Sequence, residues 1–408
     1  MNRIFRIVLI AAFSMLLAAG CEQGPDPEPD VQDRIKSLLD QEWTAFQQEH
    51  GFTDGGLGIH LMTPDGDLFA SSGLGKEADA DIHFRGASTT KTFTAASIML
   101  MHQKGLVNID DFVTDNIPGT SRPYLPDTPE YQIPNKDRIT IRHLLEHRAG
   151  VFDVDNDPVP EEADAPYAGM HYIEYVKSEP GRENHTFTFD ELAGVAAGHG
   201  LSYWEPGTGF HYSNTGYSLL GKIIERASNM DYGRYVQETF VQPLGLDNTY
   251  FPYLGTDTHL PSPYARGFTL CQGQFTETTR DNMSPHVAEG NIITTPGDLS
   301  RWINLLLSGK AGLEGDIIAM MTDVRPTDEF HGVYGLGMTR TAGIGYGHNG
   351  GYPGYLTIMR HNPEDGVAVV LFATALDAQD LIGQLDFMVN VVRKARETAG
   401  YPGNQHQG

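Results

Sequence analysis

The chain reads as an α+β protein, and three observations predict it. Strand-like runs around tight turns lie near both ends, amphipathic helical patterns flank those runs, and the middle is rich in loops and helices without an internal repeat. From the N-terminal side, Val31, Ile35, Leu38, Leu39, Trp43 and Phe46 recur at helical spacing and predict an amphipathic first helix. Leu57 to Met62 and Leu68 to Ser71 flank Pro64-Asp65-Gly66, which predicts a β-hairpin. An apolar run from Phe93 through Met101 predicts a buried helix opened by Ser88. Two stretches rich in Pro, Asp and Gly, Asn116 to Arg138 and Phe152 to Tyr167, predict surface loops. Near the other end, Tyr355 to Arg360 and Val367 to Phe372 flank Asn362-Pro363-Glu364-Asp365-Gly366, a second hairpin. Leu381, Ile382, Leu385, Met388, Val389 and Val392 mark a last amphipathic helix.

The first residues, MNRIFRIVLIAAFSMLLAAGC, combine two Arg, an apolar stretch, small residues and a Cys, which predicts a secretory signal over residues 1–20. The stretch is short of the roughly 20 apolar residues a membrane span needs. Cys21 directly after Ala18-Ala19-Gly20 resembles a bacterial lipobox, with Leu17 one place early, so Cys21 is the expected lipidation site. The alternative is plain cleavage and a soluble secreted protein. Residues 21–30 are acidic and proline-rich, as an extended tether would be. Glu22 after the Cys points to the outer membrane and a periplasmic location. Loss of Arg3 and Arg6 with the signal moves the formal charge from -25 to -27, so nucleic acid is excluded as a partner. With Cys21 committed, Cys271 is the one remaining cysteine and no intrachain disulfide is available. Residues 31–398 are expected to form one domain and 399–408 a polar tail.

Three motifs carry the chemistry. Ser88-Thr89-Thr90-Lys91 is the only Ser-x-x-Lys, and Tyr212-Ser213-Asn214 the only Tyr-x-Asn. His348-Asn349-Gly350, followed by Gly351, lies in a glycine-rich turn leading into a strand. Ser and Lys at i and i+3 share a helical face, so Lys91 can reach the Ser88 hydroxyl, which is a poor nucleophile until a base takes its proton. Burial and the positive helix end disfavour an ammonium, which predicts a Lys91 neutral enough to accept that proton. The set therefore predicts acyl transfer through Ser88. No Gly-x-Ser-x-Gly elbow is present, which excludes an ordinary α/β-hydrolase.

In this order the motifs resemble the serine β-lactamase and DD-peptidase superfamily, nearest to class C β-lactamases and related D-amino-acid peptidases and esterases. The resemblance runs from about Trp43 to Val392 and includes Leu144 to Gly150, Pro206 to Phe210, Gly290-Asn291 with Asp298-Leu299, and Pro353-Gly354-Tyr355. It implies an antiparallel sheet from both chain ends flanked by helices, with a mostly helical insertion at about residues 106–285. It also implies Ser88 as the acylated nucleophile, with Lys91 and Tyr212 sharing base duty in a division left open. Asn214 would bind Lys91 and the substrate amide, and the backbone N–H groups of Ser88 and Gly351 would bind the oxyanion. His348 replaces the Lys of class C β-lactamases, while Asn349 and Gly351 lack the hydroxyls that often bind a carboxylate. Gly350 and Gly351 would let the strand approach substrate closely. The implied protein is a monomer without a cofactor that acts on β-lactams, D-amino-acid peptides or small esters. An acylating binding or sensor protein with little turnover is the alternative. Arg340, eight residues before His348, is the candidate for a missing carboxylate-binding cation.

Two metal patterns compete with this reading. His143-Leu144-Leu145-Glu146-His147 matches an inverted zincin, which would place His143 and His147 one helical turn apart as zinc ligands. No downstream helix supplies a convincing third acidic ligand. Asp153, Asp155 and Asp157 resemble the start of a calcium loop, but Pro158 replaces the required Gly, and a solvated acidic loop is expected.

Overall fold

A computed structural model describes residues 30–328 and 331–403; the expected signal, Cys21 and nearly all of the tether lie outside them. Helix α1 (Val31–His50) starts with an Asp30 side chain accepting from the Asp33 N–H and ends at Gly51 in the left-handed conformation, an arrangement that closes both ends of a helix. Its buried Ile35, Leu39, Trp43 and Phe46 are the stripe predicted. Strands β1 (Leu57–Thr63) and β2 (Gly66–Ser72) form the first hairpin.

Strand β3 (Phe84–Ala87) leads to α2 (Thr90–Gln103), which is buried on all sides through Met101. Helix α3 (Ile141–Leu145) is a short turn; α4 (Tyr172–Ser178), α5 (Phe189–Gly198) and α6 (Asn214–Ser228) follow. Helix α7 (Tyr232–Val236) passes through a π-turn into α8 (Gln242–Leu244). Then come β4 (Phe268–Cys271), β5 (Gln274–Glu277), β6 (Ile292–Thr294), α9 (Pro296–Leu307) and α10 (Gly315–Thr322). A small hairpin of β7 (Arg325–Pro326) and β8 (Val333–Tyr334) precedes β9 (Thr339–Thr341). The chain finishes with β10 (Gly345–Tyr352), β11 (Tyr355–Asn362), β12 (Val367–Ala373), β13 (Ala375–Asp377) and α11 (Leu381–Thr398).

The main sheet has the order β2-β1-β12-β11-β10-β9 and is antiparallel throughout, so the two chain ends interleave as expected. One face packs on α1 and α11, the other on α2 and α9. The insertion is less purely helical than predicted. Its β4 and β5 join β13 in a separate three-stranded sheet, and its expected surface loops bury Tyr124, Tyr131, Asp153 and Val154.

Helix α2 is held from outside by Trp302 of α9, fully buried with its ring stacked on Phe93 at 3.8 Å and its N–H donated to Thr92 Oγ1 at 2.8 Å. Trp302→Ala removes both contacts and leaves a cavity, so unfolding by urea should show a loss of about 3–5 kcal/mol. A loss under about 1 kcal/mol would mean that α9 does not brace α2.

Candidate active site

Ser88 lies in the turn between β3 and α2, two residues before the helix begins at Thr90. Ala87 before it has φ 49°, and the threonines around it fasten the turn: Thr89 and Thr90 donate to the carbonyls of Gly86 and Ala87. Ser88 stays half-exposed while its neighbours are buried.

Lys91, in the first turn of α2, is fully buried. Its Nζ lies 3.1 Å from Ser88 Oγ, 2.7 Å from Asn214 Oδ1, 2.9 Å from the Glu289 carbonyl and 3.0 Å from the Glu289 carboxylate. The Tyr212 hydroxyl faces both Lys91 and Ser88. Burial alone would drive the lysine towards neutrality, but the Tyr212 and Glu289 oxygens outweigh it and hold Lys91 above its ordinary value. Tyr212 and, nearly two hundred residues from Lys91, Glu289 thus favour the ammonium over the neutral lysine expected from sequence. Burial also raises Tyr212, with Lys91 pulling the other way, so at neutral pH the pair holds an ammonium and a phenol.

Asn214 begins α6, where Ser213 caps the helix by accepting from the Gly216 N–H. Its side-chain oxygen binds Lys91, one of its two amide N–H groups donates to Asp155 at 2.6 Å, and the residue lines the cleft. Asp153 accepts from the Asn214 N–H, and Asp157 accepts from the Tyr203 hydroxyl. Asp153 and Asp155 of the expected solvated loop thus turn inward, whereas Asp157 stays partly exposed and Glu161, Glu162 and Asp164 are exposed.

The third motif lies on β10. Strand β9 pairs with Gly345 to Gly347, so from His348 onward that edge of β10 has no strand partner among the described residues and borders the cleft. A Cβ on Gly350 would sit 2.2 Å from the Gly86 carbonyl oxygen, whereas one on Gly351 would meet Leu356 at an ordinary 3.4 Å. Gly350 is thus required by the packing of β10 on β3, and it lines the cleft beside Gly351.

His348 is buried beneath this edge. Burial, and then the Lys91 charge, push it down to about 3, and His147 is likewise driven well below its ordinary value by burial. Two neutral imidazoles fit a single directional chain. The Ser213 N–H donates to His147 Nδ1 at 3.1 Å, and His147 Nε2 lies 3.2 Å from the Tyr334 hydroxyl. Tyr334 lies 2.8 Å from His348 Nε2, and His348 Nδ1 faces the Asn349 carbonyl. With Nε2–H on His147 and Nδ1–H on His348, every donor meets an acceptor.

The zincin reading fails on the same residues. Helix α3 ends at Leu145 and His147 turns away with φ 56°, so the pair does not share a helical face. His143 instead accepts from the Thr140 N–H in a capping box. Arg340 also lies elsewhere, on β9 with its guanidinium over Tyr346 at 5.7 Å. The cation behind the third motif is Arg360, buried on β11 and lowered to about 9 by burial, which donates to Asn349 Oδ1 at 2.7 Å.

The cleft holds about 390 Å³. Ser88, Tyr212, His348 and Gly351 meet there with aromatic Phe210, His331 and Tyr334 on one side and Leu356, Leu381 and Leu385 on another. Its described lining contains one carboxylate, Asp328, and no Lys or Arg. Sequence reasoning missed Tyr334, Glu289 and His286, and noticed His147 and Asp155 only within metal-binding patterns; the Glu in Ala288-Glu289-Gly290 was the available signal, since a charged residue inside an apolar stretch invites a buried partner.

Because His147 and His348 are neutral in the fold and protonate near pH 6.5 when unfolded, the unfolded state binds more protons below that pH. Stability should fall as pH drops from 6.5 towards 3. Nitrogen-15 NMR should show both rings neutral at about pH 5; imidazolium signals from either would break the proposed chain.

The beta-lactamase family model matches residues 53–392. Among curated proteins, penicillin-binding protein 4* of Bacillus subtilis is 27% identical over 68% of this chain and 57% of its own length. A putative D-alanyl-D-alanine carboxypeptidase of Salmonella paratyphi A is 29% identical over 56% of this chain and 47% of its own. The chain thus spans about half the length of the curated relatives it matches. Among solved structures, the D-amino acid amidase of Ochrobactrum anthropi superposes with a TM-score of 0.71 at 24% identity, covering 91% of this chain and 99% of that one. A D-stereospecific amidohydrolase from Streptomyces gives 0.70 at 23% identity, covering 89% and 98%, a likeness of fold. Since the family match takes in the Ser-x-x-Lys, Tyr-x-Asn and His-Asn-Gly motifs within one β-lactamase-type fold, the chain belongs to the beta-lactamase family of hydrolases.

Proposed function

We propose that the chain is a serine hydrolase that forms an acyl-enzyme at Ser88 on amides or esters. The observation that carries this reading is the Ser88 Oγ to Lys91 Nζ distance of 3.1 Å beneath a cleft that Tyr212 also lines. The reactive form is the fraction of the Lys91–Tyr212 pair that has lost one proton to solvent; it takes the Ser88 proton as Oγ bonds to the substrate carbonyl carbon. Tyr212 then returns a proton to the departing amine or alkoxide, and water releases the acyl group by the same route. The Ser88 and Gly351 amides receive the oxyanion. With Lys91 and Tyr212 both raised, kcat/KM should climb with pH through neutrality.

Ser88→Ala, Lys91→Ala and Tyr212→Phe should each lower turnover of a nitrophenyl ester by about 10³ or more, and pairs should add little, because they act as one unit. EDTA should change nothing. Multiplying effects, or activity lost to EDTA and restored by zinc, would overturn the mechanism. A mass-detected acyl-Ser88 that persists after a single burst would instead make the protein an acylating sensor.

The cleft lining supports uncharged acyl groups. A neutral His348, no lining cation and the Asp328 carboxylate offer little to a substrate carboxylate. The kcat/KM for a short-chain ester should exceed that for benzylpenicillin, and efficient penicillin hydrolysis would refute this substrate reading. We further propose that the mature protein begins at lipidated Cys21 in a bacterial envelope. Intact-mass analysis of membrane fractions should show the diacyl-glyceryl adduct, and a soluble unmodified chain would contradict it.

A further inference from the structure

Beyond Ser88, Lys91 and Tyr212 lies a second buried cluster that the proposed chemistry does not use. His286 Nδ1 lies 2.8 Å from the Glu289 carboxylate and 3.3 Å from that of Asp155. Glu289 also touches Lys91 at 3.0 Å, and Asp155 accepts from Asn214, which itself holds Lys91 at 2.7 Å. The result is a closed ring of side chains, Lys91–Glu289–His286–Asp155–Asn214, in which two cations and two anions alternate and the neutral Asn214 closes the circuit. We propose that Asp155, His286 and Glu289 are positioning residues for Lys91: an arm of alternating charge that holds the ammonium against Ser88 and sets how readily the Lys91–Tyr212 pair gives up a proton. This rests on the acyl-enzyme reading above.

Charge bookkeeping around Lys91 supports it. From α2 it meets Ser88, and from the α6 side Tyr212, Asn214 and the Tyr217 ring at 5.5 Å. The imidazoles of His147, His331 and His348, on α3's exit, the β7–β8 hairpin and β10, are all held towards the neutral form by burial. Tyr334 and Tyr352 are buried phenols raised by burial. On the far side of Tyr352, Asp281 is matched by Lys177 at 2.6 Å, and Arg85 lies over the Tyr352 ring at 5.9 Å. Asp153 is driven up to about 7 by burial and its Asp155 neighbour, so it adds at most a fraction of a charge. Among the described residues, the carboxylate in contact with the Lys91 ammonium is therefore that of Glu289, and its own balance is His286. Burial opposes a charged His286, but Asp155 and Glu289 outweigh that and lift it to about 10, so it is an imidazolium at neutral pH. The three ligand-type atoms lie within 4.8 Å of one another. We read the cluster as ion pairs, because a divalent cation there would place further positive charge beside the Lys91 ammonium.

The two partners should move the proton equilibrium in opposite directions. Glu289→Gln removes the anion that favours the ammonium, so the acid limb of kcat/KM for a nitrophenyl ester should shift to lower pH by about one unit or more. His286→Gln removes a cation and should shift it to higher pH, while Glu289→Asp should restore the wild-type profile. A packing role alone would reduce amplitude and leave the limbs in place, and unshifted profiles in folded variants would overturn the proposal. Circular dichroism checks each fold; if Glu289→Gln does not fold, the upward shift in His286→Gln decides. One equivalent of zinc bound by the wild type and lost in His286→Gln would also overturn it. Mass detection of acyl-Ser88 in the wild type separates the two levels: no adduct sinks the acyl-enzyme reading, whereas an adduct with unshifted profiles sinks only this one.

Discussion

A fully buried ammonium is the constraint on which the rest of this site depends. Lys91 cannot be taken from water without acceptors for its protons, and an uncompensated charge in an interior costs several kcal/mol. Four oxygens from three separate parts of the chain meet that demand: Ser88, Asn214 and two from Glu289. Once the lysine is fixed, the start of α2, the start of α6 and the loop before β6 are fixed with it. The cleft follows as the space those segments enclose with the free edge of β10.

The second constraint is steric. Strand β10 crosses β3 so closely that only a glycine fits at position 350, and Gly351 beside it lines the same cleft as Ser88. The neutral chain from Ser213 through His147, Tyr334 and His348 then ties β10 to α6 and the β7–β8 hairpin without adding charge. The ion pairs of Lys91 lie on one side of it and the neutral imidazoles on the other, with Asp328 the one carboxylate in the described cleft lining. That separation lets a substrate enter past aromatic rings and neutral imidazoles, with the ion pairs sealed behind.

Much of the fold was legible because its outer elements obey simple periodicities. The stripe of Ile35, Leu39, Trp43 and Phe46 gave α1, and the two turn-flanked runs gave the hairpins β1–β2 and β11–β12. The small sheet of β4, β5 and β13 was not legible, since its four- and three-residue strands carry no clear alternation. The zincin pattern misled because identity and spacing are preserved while the helix they require ends at Leu145. The three aspartates misled in the opposite sense: their composition suggests solvent, but Asp153 and Asp155 are spent on the backbone and side chain of Asn214.

What the sequence determined by itself is the order of the three motifs, the amphipathic ends and the class of chemistry, because each depends on near neighbours in the chain. What only the tertiary structure decided is the state of that chemistry. Whether Lys91 is an amine or an ammonium turns on Tyr212 and Glu289, and whether His348 is charged turns on burial and on the Lys91 charge. Which cation stands behind the third motif turns on strand register, which sets Arg360 diagonally across from Asn349 and leaves Arg340 at the sheet edge. Proton positions follow from electrostatics over a few ångströms, and residues a few ångströms apart in the fold can be hundreds apart in the chain.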